Sequence, residues 1–124
     1  MLVVNYNGNK PISNYFKYGV EGNNNTDVIR FVLSKIQSYI DLSTSDTIKV
    51  RVRNDDEDFV EEYDIGENMT NVVDNTFFVD FPLPSEITQL SNVEISLCFS
   101  KESDVWQTQT FKLKLMSGII IEEE

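Results

Sequence analysis

Histidine is absent from all 124 residues, which removes the commonest general base and the commonest transition-metal ligand together. The single cysteine, Cys98, can form neither an internal disulfide nor a Cys–His nucleophile. Five scattered glycines make no phosphate-cradling loop, and the serines have no base to activate them. No apolar run approaches the roughly 20 residues of a membrane-spanning helix. The opening residues, Met1 to Tyr6, lack the basic-then-apolar order of a secretory signal. A protein made and kept in a cytoplasm, or leaving without the usual secretory signal, is expected. Cationic side chains are scarce: 10 Lys and Arg stand against 21 Asp and Glu, a formal net charge of −11. Such a field repels nucleic-acid backbones and anionic membranes, so neither is an expected partner and no membrane insertion is expected. Solubility alone also accounts for the surplus.

What the chain does have is apolar residues at 40% and aromatics at 11%, enough for a folded core within one domain. They recur with period two. In Val93-Glu94-Ile95-Ser96-Leu97-Cys98-Phe99 the odd positions are apolar, as expected of a strand with one face on a core. Ile48, Val50 and Val52 alternate with Lys49, Arg51 and Arg53, and Phe77, Val79 and Phe81 form another inward set. The polar turn Asn54–Asp58 leads to a returning strand at 59–65, which sets Glu61 and Glu62 beside that basic outer face. Leu2–Tyr6 and Tyr15–Val20 read as two further strands. Residues 28–33 fit a strand, with Ile29, Phe31 and Leu33 on one face. They also begin a helical spacing of Ile29, Val32, Leu33, Ile36 and Ile40. β-branched and aromatic content favours a strand to about Ser34, then a loop carrying Tyr39, Ile40 and Leu42. Gly66 to Asn71 reads as loop, 84–88 as one helical turn, and 105–116 as one long strand. The sum is an all-β antiparallel sandwich of seven to nine strands over residues 1–116, with 117–124 an edge strand or linker.

No catalytic, cofactor-binding or metal-ligating residue is expected. The run Asp55-Asp56-Glu57-Asp58 lacks the alternation and glycine of an EF-hand and reads as a solvated hairpin tip. Trp106 and the Tyr15, Phe16, Tyr18 cluster are the candidates for a stacking platform, as in sugar-binding sandwiches. Parity puts Trp106 opposite Phe111, Leu113 and Leu115 unless a bulge intervenes; core or rim packing is its bland role. A sandwich glycosidase would need two carboxylates facing one cleft, about 5–10 Å apart.

Several landmarks occur in a definite order: the Asn-rich turn before Val28-Ile29-Arg30-Phe31; Ile40-Asp41-Leu42-Ser43 before Thr47-Ile48-Lys49-Val50; and Phe77-Phe78-Val79-Asp80-Phe81-Pro82-Leu83-Pro84. After these come the 93–99 strand, Val105-Trp106-Gln107-Thr108 and Phe111-Lys112-Leu113. The order resembles the immunoglobulin-like amino-terminal domain of bacteriophage baseplate upper proteins and related tail structural proteins, over roughly Asn24 to Leu115. The resemblance implies a strand at 28–33 and a non-enzymatic virion part built in a bacterial host. Its expected partners are other tail or baseplate proteins, with a homo-oligomer in the full assembly. That family has no shared catalytic motif to carry over, and the binding residues stay unknown. A carbohydrate-binding or adhesin-like module using Trp106 and the tyrosines is the alternative.

Overall fold

A computed structural model describes residues 1–56 and 58–117. Among these residues thirteen strands follow one another: β1 Leu2–Asn7, β2 Lys10–Pro11, β3 Tyr15–Val20, β4 Val28–Ser34, β5 Ile36–Gln37, β6 Ile40–Asp41 and β7 Thr47–Asn54, then β8 Phe59–Asp64, β9 Thr70–Val73, β10 Thr76–Pro82, β11 Asn92–Lys101, β12 Asp104–Gln107 and β13 Phe111–Met116. One helical turn, α1 Ser85–Thr88, joins β10 to β11. The first sheet runs β2-β1-β4-β10-β9, and the second β3-β13-β11-β7-β8 with β12 also on β11. The all-β sandwich follows from the alternation. Ile29, Phe31, Leu33, Phe77, Val79 and Phe81 from one sheet meet Val50, Val52, Ile95, Leu97, Phe99 and Phe111 from the other, all at most 4% exposed. Aromatic pairs bridge the layers, Phe31 with Phe111 at 6.1 Å and Phe77 with Phe99 at 6.0 Å. Burial resolves the ambiguous 28–33 segment as strand, with Ile29, Phe31 and Leu33 inward.

Several boundaries differ from the sequence reading. Pairing is antiparallel except at β1–β4 and β3–β13, which are parallel. Both exceptions arise because the amino-terminal segment divides: β1 and β2 lie in the first sheet and β3 in the second. Parallel neighbours need a long crossover rather than a hairpin, and local periodicity carries no trace of one. The strand count exceeds seven to nine mainly because β2, β5 and β6 are two-residue ladders. The expected loop at 35–42 contains the β5–β6 hairpin, and that at 66–71 a 3₁₀ turn, Glu67–Met69, followed by β9. Of the expected edge strand or linker at 117–124, Ser117 follows β13 and the rest lies outside the described residues.

The expected long strand 105–116 is broken. Trp106 pairs with Phe99 and Phe111 with Ile95, so five steps on one strand match four on the other. The additional residue flips side-chain parity, as a bulge does. Thr108 holds the break: its N–H donates to the Leu97 carbonyl at 3.0 Å, and its hydroxyl accepts the Leu97 N–H at 2.9 Å. The Asn-rich turn and the helical turn close one end of the sandwich together. Asn25 N–H donates to the Leu83 carbonyl at 2.8 Å, Ser85 N–H to Asn24 Oδ1 at 2.9 Å, and Leu83 and Ile87 are fully buried.

Candidate interaction surfaces

Register decides which side chains share the outer face of the second sheet. One row reads Val60, Arg53, Glu94, Lys112, Tyr15; the next reads Glu62, Arg51, Ser96. The remaining rows add Asp64, Lys49, Cys98 and Gln107 at one side, and Asn92, Lys114 and Lys17 at the other. The expected pairing of the β7 and β8 charges is present at Glu62 but not at Glu61, which lies opposite buried Val52 and so on the other face of β8. Arg51 Nε donates to Glu62 Oε2 at 2.7 Å and Arg51 Nη1 to Gln107 Oε1 at 2.9 Å. Arg53 pairs with Glu94 and lies 3.5 Å from Asp55.

The break at 108–110 leaves this face uneven. A depression of about 400 Å³ is lined by Arg51, Arg53, Glu61, Glu62, Glu94 and Thr110, among others. Beside it lie hollows of about 470 Å³, bounded by Lys10–Asn14 and Gln109–Thr110, and about 310 Å³, bounded by Asn14, Tyr15, Glu94, Thr110 and Lys112. Two carboxylates, Glu62 and Glu94, therefore face the first depression. The Arg51 hydrogen bond holds the Glu62 carboxyl below its ordinary range, with its charge and that of Lys49 adding to the shift. A glycosidase general acid needs the opposite displacement. Glu94 is committed to Arg53.

Because the folded pKa of Glu62 is lowered, its contribution to stability is present above the unfolded carboxylate value. It is lost as pH falls through the folded one. The pair is exposed, so the contribution is small and salt-sensitive. Glu62→Gln is expected to melt below the parent at neutral pH. The gap should close as acid is added below about pH 4 and shrink in high salt. Thermal melts against pH check this, and a constant gap would refute it.

The sequence candidates do not converge. Trp106 is half-buried on the inward parity, its ring 5.6 Å from Phe99, which is rim packing and not an open platform. Phe16 sits edge-on to Phe111 at 5.3 Å, and the Tyr18 hydroxyl accepts the Val28 N–H at 3.1 Å. Only Tyr15 is exposed, on the opposite face of the sheet from Trp106. Cys98 is 5% exposed and carries no partner cysteine, so it is a packed residue. Asp55, Asp56 and Asp58 are exposed at the hairpin tip, and among the described residues no three such side chains come together as metal ligands.

Two surfaces escape sequence reasoning. Tyr39 is fully exposed at the tip of the β5–β6 hairpin, with Ile36 52% exposed beside it. Only the two-residue ladder presents it, so no periodicity marks it. The outer face of the first sheet carries Val3, Val32, Phe78 and Val73 around one bidentate pair, Arg30 to Asp80 at 2.7 and 2.9 Å. The Arg30 guanidinium also lies 5.5 Å from the Phe78 ring centre.

Against known proteins, no family model matches the chain, and no curated protein does. Among solved structures, the chain is similar to the N-terminal domain of phage TP901-1 ORF48, with a TM-score of 0.59 and 11% identity, over 93% of this chain and 97% of that one. The likeness is one of fold, spanning nearly the whole of both chains.

Proposed function

We propose that the chain is a non-enzymatic structural protein of a bacteriophage or prophage particle. It would be an immunoglobulin-like sandwich in the tail or baseplate, made in the bacterial host and working by surface complementarity with neighbouring virion proteins. The observation that carries this reading is the end-to-end likeness to a phage domain. It agrees with the ordered landmarks in the sequence. The chemistry points the same way. Histidine is absent, both carboxylates facing the depression beside Arg51 and Arg53 are ion-paired, and exposed apolar or charged side chains face outward on both sheets. Deleting the gene from the producing phage should yield particles with incomplete tails and little infectivity; normal particles would overturn the proposal.

Tyr15 beside the polar hollow of Asn14, Thr110 and Lys112 favours one second reading, a module that recognises a cell-surface glycan. In that case a cell-wall polysaccharide would bind the parent and not Tyr15→Ala, whereas the structural reading requires no sugar response in either.

A further inference from the structure

Charge is distributed unevenly over this molecule. The outer face of the second sheet carries Lys17, Lys49, Arg51, Arg53, Lys112 and Lys114, six of the chain's ten cations, and, among the described residues, the acids Glu62, Asp64 and Glu94. Within the face the two sides differ. Lys112 and Lys114 on β13 and Lys17 on edge strand β3 are exposed, and none makes an ion pair among the described residues. Lys17 and Lys114 are direct cross-strand neighbours, a like-charge juxtaposition that costs the isolated domain stability. At the other edge, β8 and its turn present exposed Asp56, Asp58, Glu61 and Asp64, likewise without an ion pair among the described residues.

We infer that the basic β3 edge and the acidic β8 edge of the second sheet are complementary halves of one interface, joining copies of this chain head to tail. Strand direction permits it. β3 runs with β13, and three antiparallel steps through β11 and β7 leave β8 opposite in direction to β3. A second copy laid alongside in the same orientation therefore brings its β8 antiparallel to the first copy's β3. The charges also exclude the alternatives: β3 against β3 opposes lysines, and β8 against β8 opposes carboxylates. Selection falls on the heterologous contact, which closes into a ring or continues as a row. At Tyr15 the main chain already exchanges hydrogen bonds with the Ser13 hydroxyl, so at that end of the edge side-chain charge carries the contact. The net charge of −11 opposes association at low salt. Near 0.1 M salt, with a Debye length of about 10 Å, repulsion across whole domains is screened while contact pairs survive.

Sedimentation velocity from micromolar to millimolar protein in about 0.1 M salt tests this. The parent chain should associate with rising concentration. Lys17→Glu and Asp64→Lys should each weaken association about tenfold. An equimolar mixture of the two single variants, and the double variant, should recover it, because each restores one cationic edge against one anionic edge. Lys114→Glu replaces Lys17→Glu should the latter fail to fold by circular dichroism. A parent chain that stays monomeric throughout, or single variants that associate as the parent does, would overturn the inference. Neither result bears on whether the chain is a virion part, which the gene deletion decides separately.

Discussion

Phe31→Ala is expected to destabilise the domain by about 3–5 kcal/mol, the usual cost of emptying a fully buried aromatic site. Phe31 is 0% exposed in the central strand β4, flanked in register by Val4 and Val79. Its ring centre lies 6.3 Å from that of Tyr6 and 6.1 Å from that of Phe111 in the facing sheet. Dense packing on every side prevents the surroundings from collapsing into the vacated volume. Domains of this size have about 5–15 kcal/mol of stability in total, so the variant should lie near the edge of folding. Phe78→Ala, on the half-exposed outer face of adjacent β10, is the internal control and should lose about 1 kcal/mol or less. Denaturant midpoints at unchanged slope measure both. Equal losses would mean that the dry interior is not where the sandwich derives its stability.

The second large effect is expected at Gly19. Its φ of +87° lies in the region that favours glycine, and a Cβ there would stand 2.8 Å from Leu115 Cδ2 and 3.3 Å from Leu83 Cδ1. Both leucines are at most 2% exposed, so neither methyl has free space to retreat into. Backbone strain and overpacking therefore add, and Gly19→Ala should cost about 2–4 kcal/mol. Gly8 has a φ of +61° with nothing within 4 Å of its would-be Cβ, so Gly8→Ala should carry the backbone part alone, about 1 kcal/mol. A thermal-melt comparison isolates the steric share; identical shifts would show that the close approach at Gly19 is not limiting.

Local pattern reveals the inner face of each long strand and hides most of what lies between strands. Val50, Val52, Phe77, Val79, Ile95 and Leu97 are inward in the sequence and buried in the fold, because alternation is a property of the strand itself. The helical turn after Pro84 is legible from its flanking prolines, although its bonds to Asn23 and Asn24 are not. The break at Thr108 is invisible locally, since Gln107-Thr108-Gln109-Thr110 continues a plausible polar strand. It depends on two hydrogen bonds to Leu97, eleven residues away. The candidate surfaces share this character. Lys49, Arg51 and Arg53 are plainly outward on one strand, but only the β11–β13 register shows that Lys112 and Lys114 join their face, and only the parallel β3–β13 register adds Lys17. Tyr39 is exposed because a two-residue ladder lifts it, and no propensity scale encodes so short a pairing.

On the proposed reading, a sandwich with its strand-alternating apolar residues turned inward and six of its ten cations on one face holds neighbouring virion proteins in place. The most direct measurement of that role is immunogold electron microscopy of purified particles, with mass spectrometry of the same preparation. The account predicts this chain among the particle proteins, with label confined to the tail or its end. Particles that are infectious, complete and free of the chain would contradict it.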